Sequence, residues 1–558
     1  RLYRLDEEKQ LRFQLGYIHD RTTRQYGSEE IYYFAQDTVH TATNRHDRLK
    51  TDCLNAEVNY EDNTVSRYTR ENFSFAGTWK SGVSDITGDN AIFQKIKNSQ
   101  WELKNYFNQL YTKEKYTWGI RSYIRYTHCP ASLTVAHRNL PILFADNMLI
   151  ANCIYHRNEL SSSDNISENT YRTVIGQTHE SILAEYEEMN TGNAYTDNAL
   201  YGMRKINGVN YQLTGGFCGE LSSVKQENAY SAHSYSFYTV PRIEWERNDF
   251  LFTAATTVRW SHLPKQSYSR FCVSPFFCFR YKFTPRWKMS LLGSLDESEG
   301  GLKDIYPFRY REDYRTVVKH TGKVPVTVRQ LYTCYLEYKN TIKEFFWTLS
   351  ASYSHNRYNL ITERNYKDGN FYLSSVERNH SSHSYTLNTI GSKGIYDWNL
   401  KTSLELTLAR NEGKQLNEGI VQDYRYDYLC VEPKIVWAPS VFFEAEYKAT
   451  VSCVGGGIGE DTRLDPLWEV AQRLTLSLEF HDTEFCLSGE HFYNDLSKNQ
   501  HLNTWLADVS LIHKAGKWRF AASAINLFNK EQYRYTLYSA VQSYTSWVKL
   551  RPREFMVS

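Results

Sequence analysis

Residue types that often carry out chemistry are present in this chain, but they do not form a recognisable catalytic arrangement. Its 17 histidines and 10 cysteines are scattered. The sequence holds no C-x-x-C pair and no H-E-x-x-H, G-x-S-x-G, P-loop or G-x-G-x-x-G motif. The one dense glycine cluster, Gly455 to Gly457 with Gly459, is more typical of a flexible loop than of a phosphate site. We therefore predict no enzyme activity, no cofactor and no bound metal.

One polar stretch carries side chains suited to binding. Aromatic rings offer stacking surfaces, and guanidinium groups offer paired donors for a glycan, a metal chelate or a peptide. The candidate substrate-binding residues are Tyr306, Phe308, Arg309, Tyr310, Arg311, Tyr314 and Arg315. The alternative is that they pack against other loops. Acidic groups around Asp304 and Asp461 could bind Ca²⁺, although solvation is the simpler interpretation.

The elements that must position these residues are strands with one apolar and one polar face. In residues 441–452, Val441, Phe443 and Ala445 alternate with Phe442, Glu444 and Glu446. This period of two indicates β-structure. In a soluble sheet the apolar face would form the core, whereas in a membrane barrel it would face lipid and the polar face would line a wet lumen.

The connections between these segments differ in length on alternate sides. Tight connections of two to four residues fall, for example, at Asn207-Gly208, Thr284-Pro285 and 481–483, and wide polar stretches separate them. Short periplasmic turns and long extracellular loops are typical of an outer-membrane barrel. We read residues 127–196 as one very long external loop, with two hidden strands as the alternative.

Tryptophan placement favours the membrane interpretation. Seven tryptophans lie in or near the tight connections: Trp118, Trp245, Trp287, Trp347, Trp398, Trp437 and Trp518. Trp79, Trp101, Trp260 and Trp505 lie near the opposite strand ends, and Trp468 and Trp547 fall within wide loops. Two such bands are expected where lipid tails meet headgroups.

Composition excludes several other classes. The 558 residues contain no linker and no run of 18 apolar residues, so transmembrane helices are excluded. The net charge of +2 gives no reason to expect a nucleic-acid partner. The single cysteines are interpreted as small side chains on strands.

Segmentation of the whole chain gives about 22 strands, an even number as both ends on the periplasmic side require. The fold class is thus all-β, a transmembrane antiparallel barrel, with residues 1–558 as one domain in the outer membrane of a Gram-negative bacterium. A barrel of this size leaves a wide lumen that needs a plug. We expect the plug and a signal peptide to precede Arg1.

Two stretches near the end resemble a known family. Residues 522–533 (ASAINLFNKEQY) and 550–555 (LRPREF) are similar to the last strands of TonB-dependent outer-membrane receptors. Residues 301–316 (GLKDIYPFRYREDYRT) resemble the form common in Bacteroidota. The chain departs from the family in carrying neither a TonB-contacting box nor a plug.

The resemblance implies a transporter that imports a scarce nutrient across the outer membrane. Implied partners are outer-membrane lipid, the TonB energy-coupling complex acting through the plug, a surface lipoprotein, and a small or oligomeric nutrient. Two alternatives remain open. A passive porin would conduct ions freely, and a soluble secreted β-rich adhesin or glycan-binding protein would be monodisperse without detergent.

Overall fold

Antiparallel strands account for nearly all of the structure. The computed structural model describes residues 2–5, 8–33, 38–88, 91–137, 171–174, 181–226, 228–367, 369–459, 462–496, 500–538 and 542–557. Within these residues, twenty-two long strands follow one another: β1 Lys9–Tyr33, β2 Thr38–Asn63, β3 Arg67–Gly88, β4 Ile92–Lys113, β5 Tyr116–His137, β6 Ser181–Ile206, β7 Val209–Lys225, β8 Ala229–Arg247, β9 Phe250–Leu263, β10 Tyr268–Thr284, β11 Trp287–Glu299, β12 Val326–Asn340, β13 Phe345–Lys367, β14 Asn370–Ile395, β15 Leu400–Asn417, β16 Ile420–Ser440, β17 Phe443–Ile458, β18 Thr462–Phe480, β19 Thr483–Leu496, β20 Gln500–Ala515, β21 in two segments (Trp518–Ile525 and Gln532–Tyr538) and β22 in two segments (Gln542–Lys549 and Glu554–Val557). The predicted count is confirmed for this part of the chain.

Shorter elements complete the described structure. Four short strands are Leu2–Arg4, Tyr171–Val174, Tyr310–Arg311 and Thr316–Lys319, and three 3₁₀ turns are Pro264–Gln266, Leu302–Ile305 and Tyr396–Trp398. No helix among the described residues is long and apolar enough to cross a membrane.

The sheet closes on itself. Each long strand pairs with its neighbours in the chain, and β1 also pairs antiparallel with β22, from Tyr26 opposite Val548 to Tyr32 opposite Gln542. A closed ring leaves no sheet edge, which is the condition for a sheet to span lipid.

Large apolar side chains lie on the outside of this ring. Leu15 is 78% exposed and Leu404 is 52% exposed, while the opposite faces carry polar networks such as Asn388 with Glu405 and Thr407. The apolar clusters buried among the described residues lie where the strands extend beyond the apolar belt toward the wide connections. Because an exposed apolar belt on a closed barrel is stable only in hydrocarbon, the protein is an integral outer-membrane β-barrel.

The narrow connections are tight turns, as predicted. Asn207 (φ 48°) and Gly208 (φ 81°) join β6 to β7, and both residues adopt the left-handed conformation that a two-residue hairpin requires. The tryptophans assigned to this end lie beside such turns, and Trp118, Trp398 and Trp518 are exposed there. We call this the turn end and the opposite one the mouth.

Several predictions for the mouth are wrong. The strands run 14 to 26 residues in most cases, well beyond the predicted ten. Residues 127–137 and 181–196 are not loop but paired extensions of β5 and β6. Most other wide connections, such as 355–381, are also protruding hairpins. Outside the bilayer both faces of a strand meet water, so the alternation that reveals a strand is lost there.

Two further assignments change with the longer strands. Trp468 lies on β18 and Trp547 on β22, and Gly455 to Gly457 lie within β17, not in loops. The last strand, predicted from Leu550, instead starts at Gln542 and is interrupted at residues 550–553. The nine cysteines in the described residues are all free.

Candidate substrate entrance at the barrel mouth

The connection between β11 and β12, residues 300–325, is the stretch that holds all seven candidate residues. We call it the mouth loop. It leaves the wall at Glu299 and returns at Val326, but between these points it reaches strands on the far side of the ring. The structure therefore places the candidate residues across the opening rather than outside it.

The mouth loop forms part of a small mixed sheet, which we call the cap sheet. Tyr310–Arg311 pairs antiparallel with residues 317–318, and Thr316–Lys319 pairs parallel with residues 371–374 of β14. The upper part of β13 continues this sheet and pairs parallel with residues 416–417 of β15. Parallel pairs in an otherwise antiparallel barrel mark where chain from the wall has folded over the mouth.

Arg315 joins the cap sheet to the opposite wall. Its Nη2 lies 2.6 Å from Glu30 Oε2 and also donates to Tyr32 Oη, and its Nη1 donates to Thr41 Oγ1 at 3.0 Å. Glu30 is 7% exposed, and the side chain of Arg315 is 14% exposed. A buried, hydrogen-bonded ion pair of this kind fixes geometry strongly, because removal of either partner leaves a charge uncompensated.

Burial dominates the electrostatics around this ion pair. Removal from water raises the pKa of Tyr32 and lowers the pKa of Arg364, whose guanidinium lies 5.9 Å from the Tyr32 ring. Burial alone would lower the pKa of Arg315, but Tyr314, Tyr32 and Glu30 together raise it above its usual value. Arg315 is therefore charged at physiological pH.

Aromatic and apolar contacts hold the rest of the mouth loop. Tyr306 is 2% exposed, packs edge-on against Tyr230 and donates its hydroxyl to Gln226 Oε1 at 3.1 Å. Ile305 belongs to a buried cluster with Leu263. Tyr314 packs on a second cluster that includes Ile86, Ile92 and Val135 of β3 to β5.

The remaining candidates differ in exposure. Phe308 and Arg309 are exposed, and the Arg309 guanidinium lies 5.2 Å from the Tyr372 ring. The amide of Arg311 donates to Glu187 Oε2 at 2.8 Å, and its side chain donates to the Tyr314 carbonyl. Tyr310 is half-buried in the cap sheet. Substrate contact stays a prediction for the set, and Phe308 and Arg309 are the members most open to solvent.

Two acidic residues of the mouth loop accept backbone hydrogen bonds. Asp313 Oδ1 accepts the amides of Arg315 and Thr316, and Asp304 Oδ2 accepts the amide of Gly301. No group of three potential metal ligands comes together in the described part of the chain. Glu460 and Asp461 lie outside the described residues.

A polar recess lies in the lumen wall beneath the start of the mouth loop. Tyr238 donates to Asp197 Oδ1 at 2.6 Å, and Arg121 donates to the Tyr238 hydroxyl at 3.1 Å. The recess is also lined by Arg259, by Glu299 and by the loop residues Gly300 and Gly301.

The sequence gives no signal for the residues that contact the mouth loop. Glu30, Tyr32, Glu187 and Phe371 lie in strand extensions that carry no alternation. Nothing in their spacing links them to residues 306–315, because the contacts bridge up to 285 positions of the chain.

The fold and the mouth together define a class, a large outer-membrane β-barrel with a covered entrance. The chain matches no family model and no curated protein. Among solved structures it is similar to the copper transporter OprC, with 8% identity, 96% of this chain and 83% of that chain covered and a TM-score of 0.44. It is similar to the outer-membrane transporter YddB from Escherichia coli (10%, 98% and 76%, TM-score 0.47). A third is the ferric enterobactin receptor PfeA from Pseudomonas aeruginosa, as a mutant (10%, 94% and 80%, TM-score 0.41). At these values the likeness carries no argument about what this chain binds.

Proposed function

We propose that this chain is the barrel domain of an outer-membrane transporter that captures a scarce nutrient at its mouth and releases it through the lumen. The observation that carries the proposal is the pairing of a 22-strand ring with a mouth loop anchored to the opposite wall through Arg315 and Glu30. A ring of this size needs obstruction to keep the outer membrane tight, and rings of this size are typical of plugged transporters.

The candidate residues fit a capture role in part. Phe308 and Arg309 present an aromatic ring and a guanidinium at the opening, a pairing suited to a glycan, a chelate or a peptide. Tyr306, Tyr314 and Arg315 would act indirectly, by holding the loop in place. The polar recess around Arg121 and Asp197 offers a second contact region on the way through the lumen.

Energy coupling is the part of the proposal that rests on the sequence resemblance. In that scheme a plug domain fills the lumen and the TonB complex pulls it to release the nutrient. A surface lipoprotein partner and the Bacteroidota type of receptor belong to the same part of the proposal.

The alternatives fit the geometry less well. An open porin would conduct ions through an open entrance, whereas here a buried ion pair holds a loop across the entrance. A soluble adhesin would expose to water the apolar belt that includes Leu15 and Leu404, at a cost of about 25 cal/mol per Å².

Uptake by cells of the native host tests the proposal. We expect a labelled ferric chelate, oligosaccharide or peptide to accumulate against its gradient, and accumulation to stop when the gene is deleted or a protonophore is added. Uptake that depends on the gene but only equilibrates, and that survives the protonophore, would instead establish a porin.

A further inference from the structure

The outer wall carries a hollow where β15, β16 and β17 leave the apolar belt. Leu408 on β15 lies opposite Leu429 on β16. Two residues nearer the mouth, on the same outer face, Arg410 lies opposite Asp427. All four line the hollow, and Gly455 of β17 lies beside Asp427. This wall hollow therefore spans the line at which hydrocarbon gives way to headgroups.

Aromatic side chains mark the same level on both sides. Tyr385 is 45% exposed and pairs with Arg410. Trp468 is also exposed and pairs with Cys453, which is two residues before Gly455 and lies on the same face of β17. Exposed Tyr and Trp side chains on the outside of a barrel gather at the membrane interface.

The floor of the wall hollow is glycine where a side chain would fit. Gly455 is absent from the residues with positive φ, so its backbone does not require glycine. A Cβ there would first meet Pro466 at 3.6 Å, an ordinary contact. Gly455 lies at a β-bulge, because the register between β17 and β18 shifts between Val454 and Gly456. Glycine at this bulge leaves the floor open, so that a ligand can approach the backbone.

The sides of the wall hollow carry arginines with unused donors. Arg410 Nε and Arg425 Nε lie 2.6 and 2.7 Å from the two oxygens of one carboxylate, Asp427. Among the described residues, no hydrogen bond involves the Nη atoms of these two arginines. Arg463 lines the same space, and Glu412 is the other acidic residue there. Three cations thus face two anions, with guanidinium forks free for an oxyanion.

We propose that the wall hollow binds the phosphate-bearing headgroup of a lipid in the outer leaflet of the membrane. The phosphate would accept hydrogen bonds from the Nη groups of Arg410 and Arg425, whose Nε atoms hold Asp427, and would lie near Gly455. The acyl chains would run down the apolar rows of Leu408 and Leu429. A phosphate free in solution would use the arginines but not those leucines, so the joint presence of both favours a lipid. The proposal rests only on the membrane barrel and not on the proposed transport.

Titration of the purified full chain in detergent micelles tests the site. The probes are diphosphoryl lipid A, the phosphate-free lipid diacylglycerol and inorganic phosphate, and native mass spectrometry counts the bound lipid. We expect one lipid A to bind, the double variant Arg410→Gln/Arg425→Gln to bind it at least tenfold more weakly, and Gly455→Leu to weaken it similarly by filling the floor.

Matched variants on the same barrel serve as controls. Arg21 and Lys50 are exposed cations opposite each other on β1 and β2, and Gly489 is a β19 glycine with no atom within 4 Å of an added Cβ. Arg21→Gln/Lys50→Gln and Gly489→Leu should leave lipid A binding unchanged. Gly455→Leu keeps the test valid if loss of both arginines prevents folding.

Three results would overturn the proposal. One is equal lipid A binding by the hollow variants and their controls. A second is displacement of lipid A by millimolar inorganic phosphate alone, which would indicate a free-anion site. The third is phosphate-free diacylglycerol binding as tightly as lipid A, which would indicate a non-specific apolar contact.

Discussion

Arg315 Nη2 and Glu30 Oε2 lie 2.6 Å apart although 285 residues separate them in the chain. The contact ties the loop between β11 and β12 to β1 on the other side of the ring. It converts a long connection, which would otherwise be free to leave the opening, into a cover over the lumen. Together with the buried contacts of Ile305, Tyr306 and Tyr314, this ion pair holds the mouth loop across the opening.

Substitution of Glu30 by Gln should release the cover. The buried Arg315 would lose its counter-charge, and removal of one partner of a buried pair costs about 3–5 kcal/mol. Since about 1.4 kcal/mol is tenfold, the open population of the mouth loop should rise by about a hundredfold to a few thousandfold. Limited proteolysis of the purified protein within residues 300–325 measures this.

An exposed pair in the same region provides the control. Lys323 and Glu377 lie 3.3 Å apart with side chains 64% and 61% exposed. Such a pair contributes about 0–1 kcal/mol, so Glu377→Gln should change the cleavage rate less than about fivefold. Equal rates in E30Q and E377Q would show that the Arg315 contact does not hold the loop.

Truncation of Ile305 should loosen one anchor of the mouth loop without unfolding the barrel. Its side chain is fully buried, and Ile→Ala in such a site costs about 2–5 kcal/mol. Hydrogen exchange in residues 300–325 should accelerate in Ile305→Ala, with exchange in the wall strands unchanged. Lys323→Ala, at an exposed position of the same loop, should leave exchange near the wild-type rate. Faster exchange in both variants would argue against a local anchor.

A charge on the outer face of β15 should destabilise the barrel, whereas one on its inner face should not. Leu404 points outward, so Leu404→Arg places a charge on the lipid face near the middle of the bilayer. Such a charge costs about 2–4 kcal/mol. Thr407→Arg faces the lumen near Glu405, so its cost should stay below about 1 kcal/mol. Urea unfolding in lipid vesicles compares the two, and equal losses of unfolding free energy would contradict hydrocarbon as the outer environment.

Asn526 of the NLFN segment pins together the interruptions of β21 and β22. It lies at φ 53°, and its Nδ2 donates to the Lys530 and Arg551 carbonyls at 2.9 and 2.7 Å. Asn526→Asp keeps an acceptor and tolerates the conformation but loses both donors, at about 1–3 kcal/mol. A reduced folded fraction after refolding into detergent would confirm this, and a wild-type yield would make the two hydrogen bonds dispensable.

The sequence predicts those parts of the fold that the membrane itself constrains. Each strand must be apolar on one side within hydrocarbon, so segments such as 397–410 are visible, and the tight turn at Asn207-Gly208 is set by local conformation. The hairpin extensions and the cap sheet face water on both sides, so no pattern reveals them. For the same reason, residue types single out the mouth loop as a candidate binding segment, but nothing in the sequence identifies its partners Glu30 and Tyr32.

Electrophoretic migration of unheated and boiled samples most directly tests the closed ring. A barrel sealed between β1 and β22 should resist dodecyl sulfate at room temperature and migrate ahead of the boiled chain. The seam is open to a specific test, because a Cβ on Gly27 would overlap the Trp547 side chain of β22, whereas Gly16 on the same strand has no atom within 4 Å. Gly27→Leu should therefore lose the fast band, and Gly16→Leu should keep it. A single band at the boiled position for the unmodified protein would contradict the closed barrel.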